Sequence, residues 1–187
     1  MQSHNRSRRA IFLDRDGVIN RSVVLNGKPY PPANLEAMEI LPGVPSALNA
    51  LSAAGFLLIV ITNQPDVARG KTPKATVEEI NQYLASALPI DEFRTCFHDD
   101  TAACDCRKPM PGALLAAAKD HGIALEKSFM IGDRWRDIEA GERAGCRTIF
   151  IDYGYDEKQP SSMDFSVQTL EEAANIILGG NNRSCVL

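Results

Sequence analysis

Three short polar segments each follow an apolar run in the sequence: DRDGVIN (14–20), TNQ (62–64) and GDRWRD (132–137). If the runs are parallel strands, Asp14, Asp16 and Asp133 meet at one edge of a sheet. Grouped carboxylates repel one another, and oxygen ligands favour Mg²⁺, which keeps positions for water and phosphate. One aspartate could then attack phosphorus while a neighbour moves protons. A single aspartate could simply cap a loop, but three such positions favour a site.

Asp137 follows Asp133 by one helical turn, so both side chains can face the same site. Two interpretations stay open. Asp137 could hold metal-bound water or orient a cation, or it could be a first-turn carboxylate that the helix dipole favours.

A second group is the segment CFHDDTAACDCRKP (96–109). Its pattern C-x-H-x5-C-x-C suits a closed, tetrahedral, structural Zn²⁺ site. The predicted ligands are Cys96, His98, Cys104 and Cys106.

A cysteine phosphatase needs arginine six places after the cysteine, but positions 102, 110 and 112 are Ala, Met and Gly. Redox sites usually have C-x-x-C, whereas this loop has C-x-C. Zinc would fix the backbone beside Arg107 and Lys108, two cations suited to phosphate.

Strand and helix patterns alternate along the chain, which predicts a doubly wound, Rossmann-like parallel sheet between helices. The run FLLIVI (56–61) is typical of a strand covered on both faces. Further strands are expected at 10–13, 93–97, 128–131 and 147–151, and helices at 43–55, 72–88, 111–121, 134–144 and 170–178. Ligands of such sheets bind beyond the carboxyl ends of the strands, where the polar segments lie.

Composition narrows the class of protein. The chain has 44% apolar and 24% charged residues and a net charge of −4, which does not favour a nucleic-acid partner. No apolar run approaches the ~20 residues that cross a bilayer. We expect a cytoplasmic monomer with reduced thiols, no nucleic-acid partner and no membrane partner. The predicted organisation is a disordered segment at 1–9, a single folded domain at 10–179 and a flexible tail at 180–187.

DRDGVIN, TNQ, RKP and GDRWRD match, in order and spacing, the four motifs of the haloacid dehalogenase-like phosphatases. IFLDRDGVIN, ITNQ followed by ARGK, and CDCRKP resemble the subgroup of heptose bisphosphate and histidinol-phosphate phosphatases. The match covers residues 10–152. The resemblance implies a capless α/β fold with a zinc-bound loop, and only the segment 21–41, with its Asn26-Gly27 turn, stands where the family places a cap.

The resemblance also implies roles for individual residues. Asp14 is the nucleophile that becomes an aspartyl-phosphate, and Asp16 is the general acid and base. Thr62 and Lys108 hold the transferring phosphoryl group. Mg²⁺ is bound by the Asp14 side chain, the Asp16 backbone carbonyl and Asp133. The substrate-binding residues are expected to be Asn63, Gln64, Arg107 and Arg134.

The expected substrate is a small sugar phosphate, first of all heptose 1,7-bisphosphate, with loss of the 7-phosphate. A second phosphate needs Arg or Lys near the site, and Arg107, Arg134, Arg69 and Lys71 are candidates. Asp66 and the Asp99-Asp100 pair have the opposite charge, and Pro65-Asp66 departs from the small residues usual in the family. Histidinol phosphate is therefore the alternative substrate, and a zinc-stabilised binding module is the alternative outside enzymes.

Overall fold

The computed structural model describes residues 7–180 of the chain. The strands are β1 (Arg9–Leu13), β2 (Val23–Leu25), β3 (Lys28–Tyr30), β4 (Phe56–Asn63), β5 (Glu92–Cys96), β6 (Phe129–Gly132), β7 (Arg147–Ile151) and β8 (Phe165–Val167). The helices are α1 (Val44–Ala53), α2 (Lys74–Ala87), α3 (Gly112–His121), α4 (Trp135–Ala144) and α5 (Leu170–Gly180), with a 3₁₀ turn at Leu125–Lys127.

Six of the strands form one parallel sheet in the order β5-β4-β1-β6-β7-β8. The chain leaves β1 toward β4 and β5 on one side, and later crosses to β6, β7 and β8 on the other. The carboxyl end of β1 is therefore the point where the strand order reverses, which is where such sheets bind ligands. The doubly wound fold predicted from the sequence is confirmed.

Both faces of this sheet are covered by helices. Alternate residues of β1 belong to different cores: Ile11 and Leu13 pack with residues of α1, α2 and α5, while Ala10 and Phe12 pack with residues of α3 and α4. Because β4 is covered on both faces, seven of its eight residues are buried. The unbroken apolar sequence of β4 follows from that position.

The segment between β1 and α1 is short and carries a two-stranded hairpin. Strands β2 and β3 pair antiparallel through the turn at Asn26 (φ 51°) and Gly27 (φ 74°). Positive φ at both positions is the signature of the type I′ turn that Asn-Gly favours. No sizeable cap domain is present in residues 7–180, as the family resemblance implies.

The observed elements depart from the predicted ones mainly at their ends. Strand β1 begins at Arg9, and Arg8 forms a bridge with Ile123, so regular structure starts before residue 10. Helix α5 continues to Gly180. The short strand β8 was not predicted. The remainder of the predicted terminal segments, 1–6 and 181–187, lies outside the described residues.

The helices of residues 7–180 include none with the length and apolar character needed to cross a membrane.

Candidate active site

The sheet brings the polar segments together at the carboxyl end of β1. Leu13 of β1 is in register with Val60 of β4 and with Ile131 of β6. Asp14 therefore emerges between the end of β4, which carries Thr62, and the end of β6, which precedes Asp133. The structure thus brings Asp14 and Asp133 together as the strand pattern predicts, while the third carboxylate of the group is Asp137 and not Asp16.

Asp14, Asp133 and Asp137 form a buried carboxylate cluster, with one oxygen from each lying within 4.8 Å of the others. Burial raises the pKa of Asp14 to about 6, with Lys108 opposing this effect and the Asp137 carboxylate adding to it. Burial also raises the pKa of Asp133 well above its ordinary value, and Asp14 and Asp137 act in the same direction. Three buried carboxylates with one nearby ammonium are short of positive charge.

A divalent cation fits this deficit. Among residues 7–180, neither buried carboxylate oxygen of Asp133 has a hydrogen-bond partner. By contrast, both oxygens of Asp137 are engaged: Oδ1 lies 2.5 Å from Lys108 Nζ, and Oδ2 accepts the Arg134 N–H at 3.0 Å. Asp14 and Asp133 are therefore the side chains open to a hard cation such as Mg²⁺. The Asp16 side chain is not part of this carboxylate cluster.

Two glycines make room for the cluster. A Cβ on Gly17, which has φ of 89°, would lie 1.9 Å from Asp133 Oδ2. A Cβ on Gly132 would lie 2.1 Å from the Asp137 Cβ. Neither position accepts a larger residue without displacing a carboxylate.

Lys108 is the buried cation of the site and is only 2% exposed. Its Nζ lies 2.8 Å from Asp14 Oδ1 and donates to the Ile61 carbonyl at 2.6 Å, in addition to its contact with Asp137. Burial opposes the charge, but the Asp137 and Asp14 carboxylates together raise the pKa of Lys108. Both interpretations of Asp137 fit the structure: Oδ1 orients a cation, Lys108, and Oδ2 accepts the Arg134 N–H as a first-turn carboxylate of α4 does.

Asp16 is held by side chains on three sides. Arg15 contacts both of its oxygens at 3.1 Å, Asn20 Nδ2 donates to Oδ1 at 3.0 Å, and Gln64 Nε2 donates to Oδ2 at 2.7 Å. Gln64 also donates to Thr62 Oγ1 at 2.9 Å. These contacts position Asp16 and Thr62, and because Gln64 also lines the cavity, its expected contact with substrate stays a prediction.

Asn63 is engaged in the same way. Its Nδ2 donates to the Lys108 carbonyl at 3.0 Å, and its Oδ1 accepts the Lys108 N–H at 3.1 Å. The two bonds tie the end of β4 to the segment that follows the cysteine loop. Asn63 therefore positions Lys108, and because it also lines the cavity, its expected contact with substrate stays a prediction.

The four predicted zinc ligands lie together. The Cys96 Sγ is 3.8 Å from Cys104 Sγ, 3.2 Å from Cys106 Sγ and 3.5 Å from His98 Nδ1. A tetrahedral site with Zn–S bonds of ~2.3 Å needs sulfur atoms separated by about 3.8 Å, so the cluster is close to that size. Three thiols and one imidazole are also the donor set that structural zinc prefers. The residues fit a zinc ion.

Two relatives place the chain in a family. The D-glycero-beta-D-manno-heptose-1,7-bisphosphate 7-phosphatase of Helicobacter pylori is 38% identical over 149 residues, covering 76% of this chain and 83% of the relative. The protein of the same name from Escherichia coli K12 is 36% identical over 151 residues, covering 74% and 76%. The chain belongs to the heptose bisphosphate phosphatase family. It is a phosphoric monoester hydrolase, and the binding-module alternative is not retained.

Further comparisons agree with this membership. The HAD-hydrolase-like family model matches residues 105–173. The crystal structure of D,D-heptose 1,7-bisphosphate phosphatase from B. bronchiseptica, complexed with magnesium and phosphate, superimposes with a TM-score of 0.75 at 27% identity. That alignment covers 92% of this chain and 99% of the other. The phosphatase thus has the haloacid dehalogenase-like fold that its motifs predict.

A cavity of about 330 Å³ opens above the buried carboxylates of the phosphatase. Its floor includes Asp14, Asp16 and Lys108. The cations at its rim outnumber the rim carboxylates, and the charged rim side chains are Lys28, Asp66, Arg69, Lys71, Asp100, Arg107, Arg134 and Arg136. The cationic mouth expected from the sequence is present.

Two rim cations of the phosphatase differ in their partners. Arg107 Nη2 lies 2.7 Å from Asp100 Oδ1, and that hydrogen bond is the first cause that holds the pKa of Asp100 below its ordinary value. Arg134 lines the cavity, but its guanidinium is paired with Glu157 through both Nε (2.8 Å) and Nη2. Both expected substrate contacts therefore already have protein partners: Arg107 is 11% exposed and also donates from Nε to Asp100 at 3.3 Å and from Nη1 to the His98 carbonyl at 3.2 Å.

Sequence reasoning missed Arg15, the largest of the fully buried side chains in the described residues. Besides holding Asp16, its Nη1 donates to Asn81 Oδ1 at 2.9 Å, and Asn81 in turn donates to Thr95 Oγ1 at 3.1 Å. A charged residue in a loop usually lies in solvent. The feature of the sequence that could have indicated a role for Arg15 is its position between Asp14 and Asp16.

Proposed function

We propose that this phosphatase removes the 7-phosphate of D-glycero-D-manno-heptose 1,7-bisphosphate and so produces heptose 1-phosphate for activated-heptose and surface-glycan synthesis. The observation that carries the proposal is the identity of 35–38% to relatives that bear this name. The cationic mouth supports it, because a second phosphate needs positive partners.

The chemistry we propose begins at Asp14. Its contacts with Arg15 N–H and Lys108 Nζ both use Oδ1, which leaves Oδ2 for attack on phosphorus. The P–O bond to the sugar breaks, Asp16 donates a proton to the departing oxygen, and an aspartyl-phosphate remains on Asp14. Asp16 then takes a proton from water, which attacks phosphorus and releases phosphate.

Residues at the end of β4 and after the cysteine loop stabilise charge on the phosphoryl group. Lys108 and the Thr62 hydroxyl bind its oxygens, and Asp137 with Asn63 holds Lys108 in place. Asp14, Asp133 and the Asp16 carbonyl would hold Mg²⁺, which when bound neutralises the carboxylates and the phosphoryl oxygens. Phosphoryl transfer depends mainly on such positioning and charge.

We propose that Zn²⁺ on Cys96, His98, Cys104 and Cys106 is structural. It closes the loop that leads directly into Arg107 and Lys108, and takes no part in the chemistry.

We further propose that residues 10–179 act as one catalytic domain and that the enzyme works as a monomer in the cytoplasm. Sedimentation velocity tests the monomer: a species of twice the mass at working concentration would contradict it.

Histidinol phosphate is the second candidate substrate, and the observation in its favour is the pair of rim carboxylates, Asp66 and Asp100. A phosphate-release screen over sugar phosphates and amino-alcohol phosphates separates the two. We expect the heptose bisphosphate to be preferred, with ³¹P NMR showing loss of the primary 7-phosphate. Preference for histidinol phosphate, or loss of the 1-phosphate, would overturn the assignment. The Asp14→Asn variant serves as the inactive control.

A further inference from the structure

One carboxylate at the rim of the cavity is shared by three guanidinium groups. Asp100 Oδ2 lies 2.6 Å from Arg69 Nη2, while Oδ1 lies 2.7 Å from Arg107 Nη2 and 3.5 Å from Arg136 Nη1. The three arginines come from the loop after β4, the cysteine loop and the first turn of α4. We call these four residues the rim cluster.

The rim cluster has more positive than negative charge. Three guanidiniums face one carboxylate, and the nearest additional anion is Asp66, 3.2 Å from Arg69. Arg136 is the least satisfied of the three: its separation from Asp100 exceeds ordinary hydrogen-bond length. Burial lowers the pKa of Arg136, Asp100 opposes this, and the charges of Arg107 and Arg134 add to the lowering. The three arginines are crowded against one another, and the second nearby carboxylate, Asp66, pairs with Arg69.

Asp100 is the most exposed member of the rim cluster. Its side chain is 52% exposed, against 35% for Arg69, 31% for Arg136 and 11% for Arg107, so Asp100 is the member that water can solvate if a ligand takes its place. A phosphate dianion supplies two charges and three oxygens, and guanidiniums bind such oxygens in pairs. Phosphate is therefore the better partner for the three arginines.

The position of the rim cluster fits a substrate with two phosphates. Its arginines line the same cavity as Asp14 and Lys108. A molecule whose first phosphate lies on Asp14 can therefore direct a second one toward the rim. An uncharged or cationic group at that end would leave Asp100 on the arginines.

We propose that Arg69, Arg107 and Arg136 bind the distal phosphate of the substrate, and that Asp100 is an internal competitor which occupies this subsite until the phosphate displaces it. This rests on the proposed function and adds Arg69, Arg136 and Asp100 to the residues that determine specificity. Asp100 lowers the affinity for every ligand at the rim, and a dianion displaces it most readily.

The test compares KM and kcat for heptose 1,7-bisphosphate and for heptose 7-phosphate, which lacks the distal phosphate. Asp100→Asn should lower the KM for the bisphosphate about two- to fivefold. Asp99→Asn is the matched control, because it makes the same charge change next to Asp100 at a side chain bonded to Thr101. Arg136→Gln should raise the KM for the bisphosphate about tenfold. On heptose 7-phosphate both effects should be under about twofold.

Zinc content and thermal unfolding of each variant report on the loop. A lower KM cannot arise from a damaged loop, and Arg136 lies on α4, outside it. If Asp100→Asn raises the KM for the bisphosphate, Asp100 is a clamp that orders Arg107 and the proposal fails. Equal changes on both substrates would also overturn it. If the wild-type enzyme leaves heptose 1,7-bisphosphate intact, the proposed function itself is wrong.

Discussion

The floor and the rim of the cavity contain opposite arrangements of charge. At the floor, one cation, Lys108, lies between the Asp14 and Asp137 carboxylates, and its side chain is 2% exposed. In the rim cluster, one carboxylate, Asp100, lies among three guanidiniums; its side chain is 52% exposed, and those of the arginines are 11%, 31% and 35% exposed. Separating a buried ion pair is strongly unfavourable, whereas water replaces an exposed partner at little cost. We therefore expect the buried ion pairs of the floor to stay in place, and a ligand to replace Asp100 in the rim cluster.

The two clusters are joined by adjacent residues. Arg107 contributes to the rim and Lys108 to the floor, and both follow directly after Cys106 of the candidate zinc loop. The backbone of that loop therefore positions both clusters at once. This explains why a structural metal would stand next to a catalytic segment.

The largest expected effect is on the nucleophile. Asp14→Asn should lower kcat by roughly 10⁴-fold or more, because no equivalent oxygen remains to attack phosphorus. The fold should persist, since the change removes a buried charge whose pKa burial has already raised. Steady-state phosphate release and thermal unfolding measure the two effects. Turnover near the wild-type rate would refute the aspartyl-phosphate pathway.

The difference in burial between floor and rim is tested most directly by replacing two adjacent cations, Lys108 and Arg107. Lys108→Met should lower kcat by about 10²–10³-fold and reduce the free energy of unfolding by about 3–5 kcal/mol, because Asp14 and Asp137 lose their buried partner. Arg107→Met, one residue earlier, should lower the free energy of unfolding by less, about 1–2 kcal/mol: the Arg107 side chain is 11% exposed, but the carboxylate it leaves behind, Asp100, is 52% exposed and stays solvated. Urea denaturation of both variants gives the comparison. Equal losses of stability would show that burial does not distinguish the clusters.

Disrupting the zinc loop should affect both clusters. Cys106→Ser should reduce bound zinc and lower kcat/KM by up to about 100-fold through displacement of Arg107 and Lys108. Cys146→Ser, a buried cysteine outside the loop, is the matched control and should retain zinc. Elemental analysis and kinetics of the two variants check this. Normal activity and thermal stability in zinc-free protein would show that the loop needs no metal.

The smallest expected effect is on the pH dependence of Mg²⁺ binding at the floor. Since burial raises the pKa of Asp14 from 3.8 to about 6, a proton competes with Mg²⁺ below that pH. The Kd for Mg²⁺ should therefore rise by about tenfold or more between pH 7.5 and pH 5. Calorimetric titration of the metal-free enzyme measures it. A Kd that does not change with pH would mean that Asp14 is ionised throughout this range.

The sequence predicted the elements whose signal is local. The apolar run of β4 and the Asn26-Gly27 turn were recognised because burial on two faces and positive φ each leave a mark on adjacent residues. Strand β8, Phe165–Val167, was missed because three residues are too few to show a period. The positions of the motif aspartates followed from the strand ends.

Pairings between residues that are distant in the chain could not be predicted from the sequence. Arg134 lines the cavity as expected, but its pairing with Glu157, 23 positions later, was not predicted. Asn63 and Lys108 are 45 positions apart, and no local pattern links them. Likewise, the aspartate pair at 99–100 was weighed only as negative charge at the mouth. The contacts of Asp100 with three arginines are visible only in the three-dimensional structure.

The central claim is that the floor performs the chemistry while the rim selects the substrate. The most direct measurement is the ratio of kcat/KM for heptose 1,7-bisphosphate to that for heptose 7-phosphate, in the wild type and in Arg107→Met. We predict a wild-type ratio well above one that falls toward one in the variant, through KM for the bisphosphate. A ratio that Arg107→Met leaves unchanged, with equal losses on both substrates, would show that Arg107 acts on the transferring phosphate and would contradict the account.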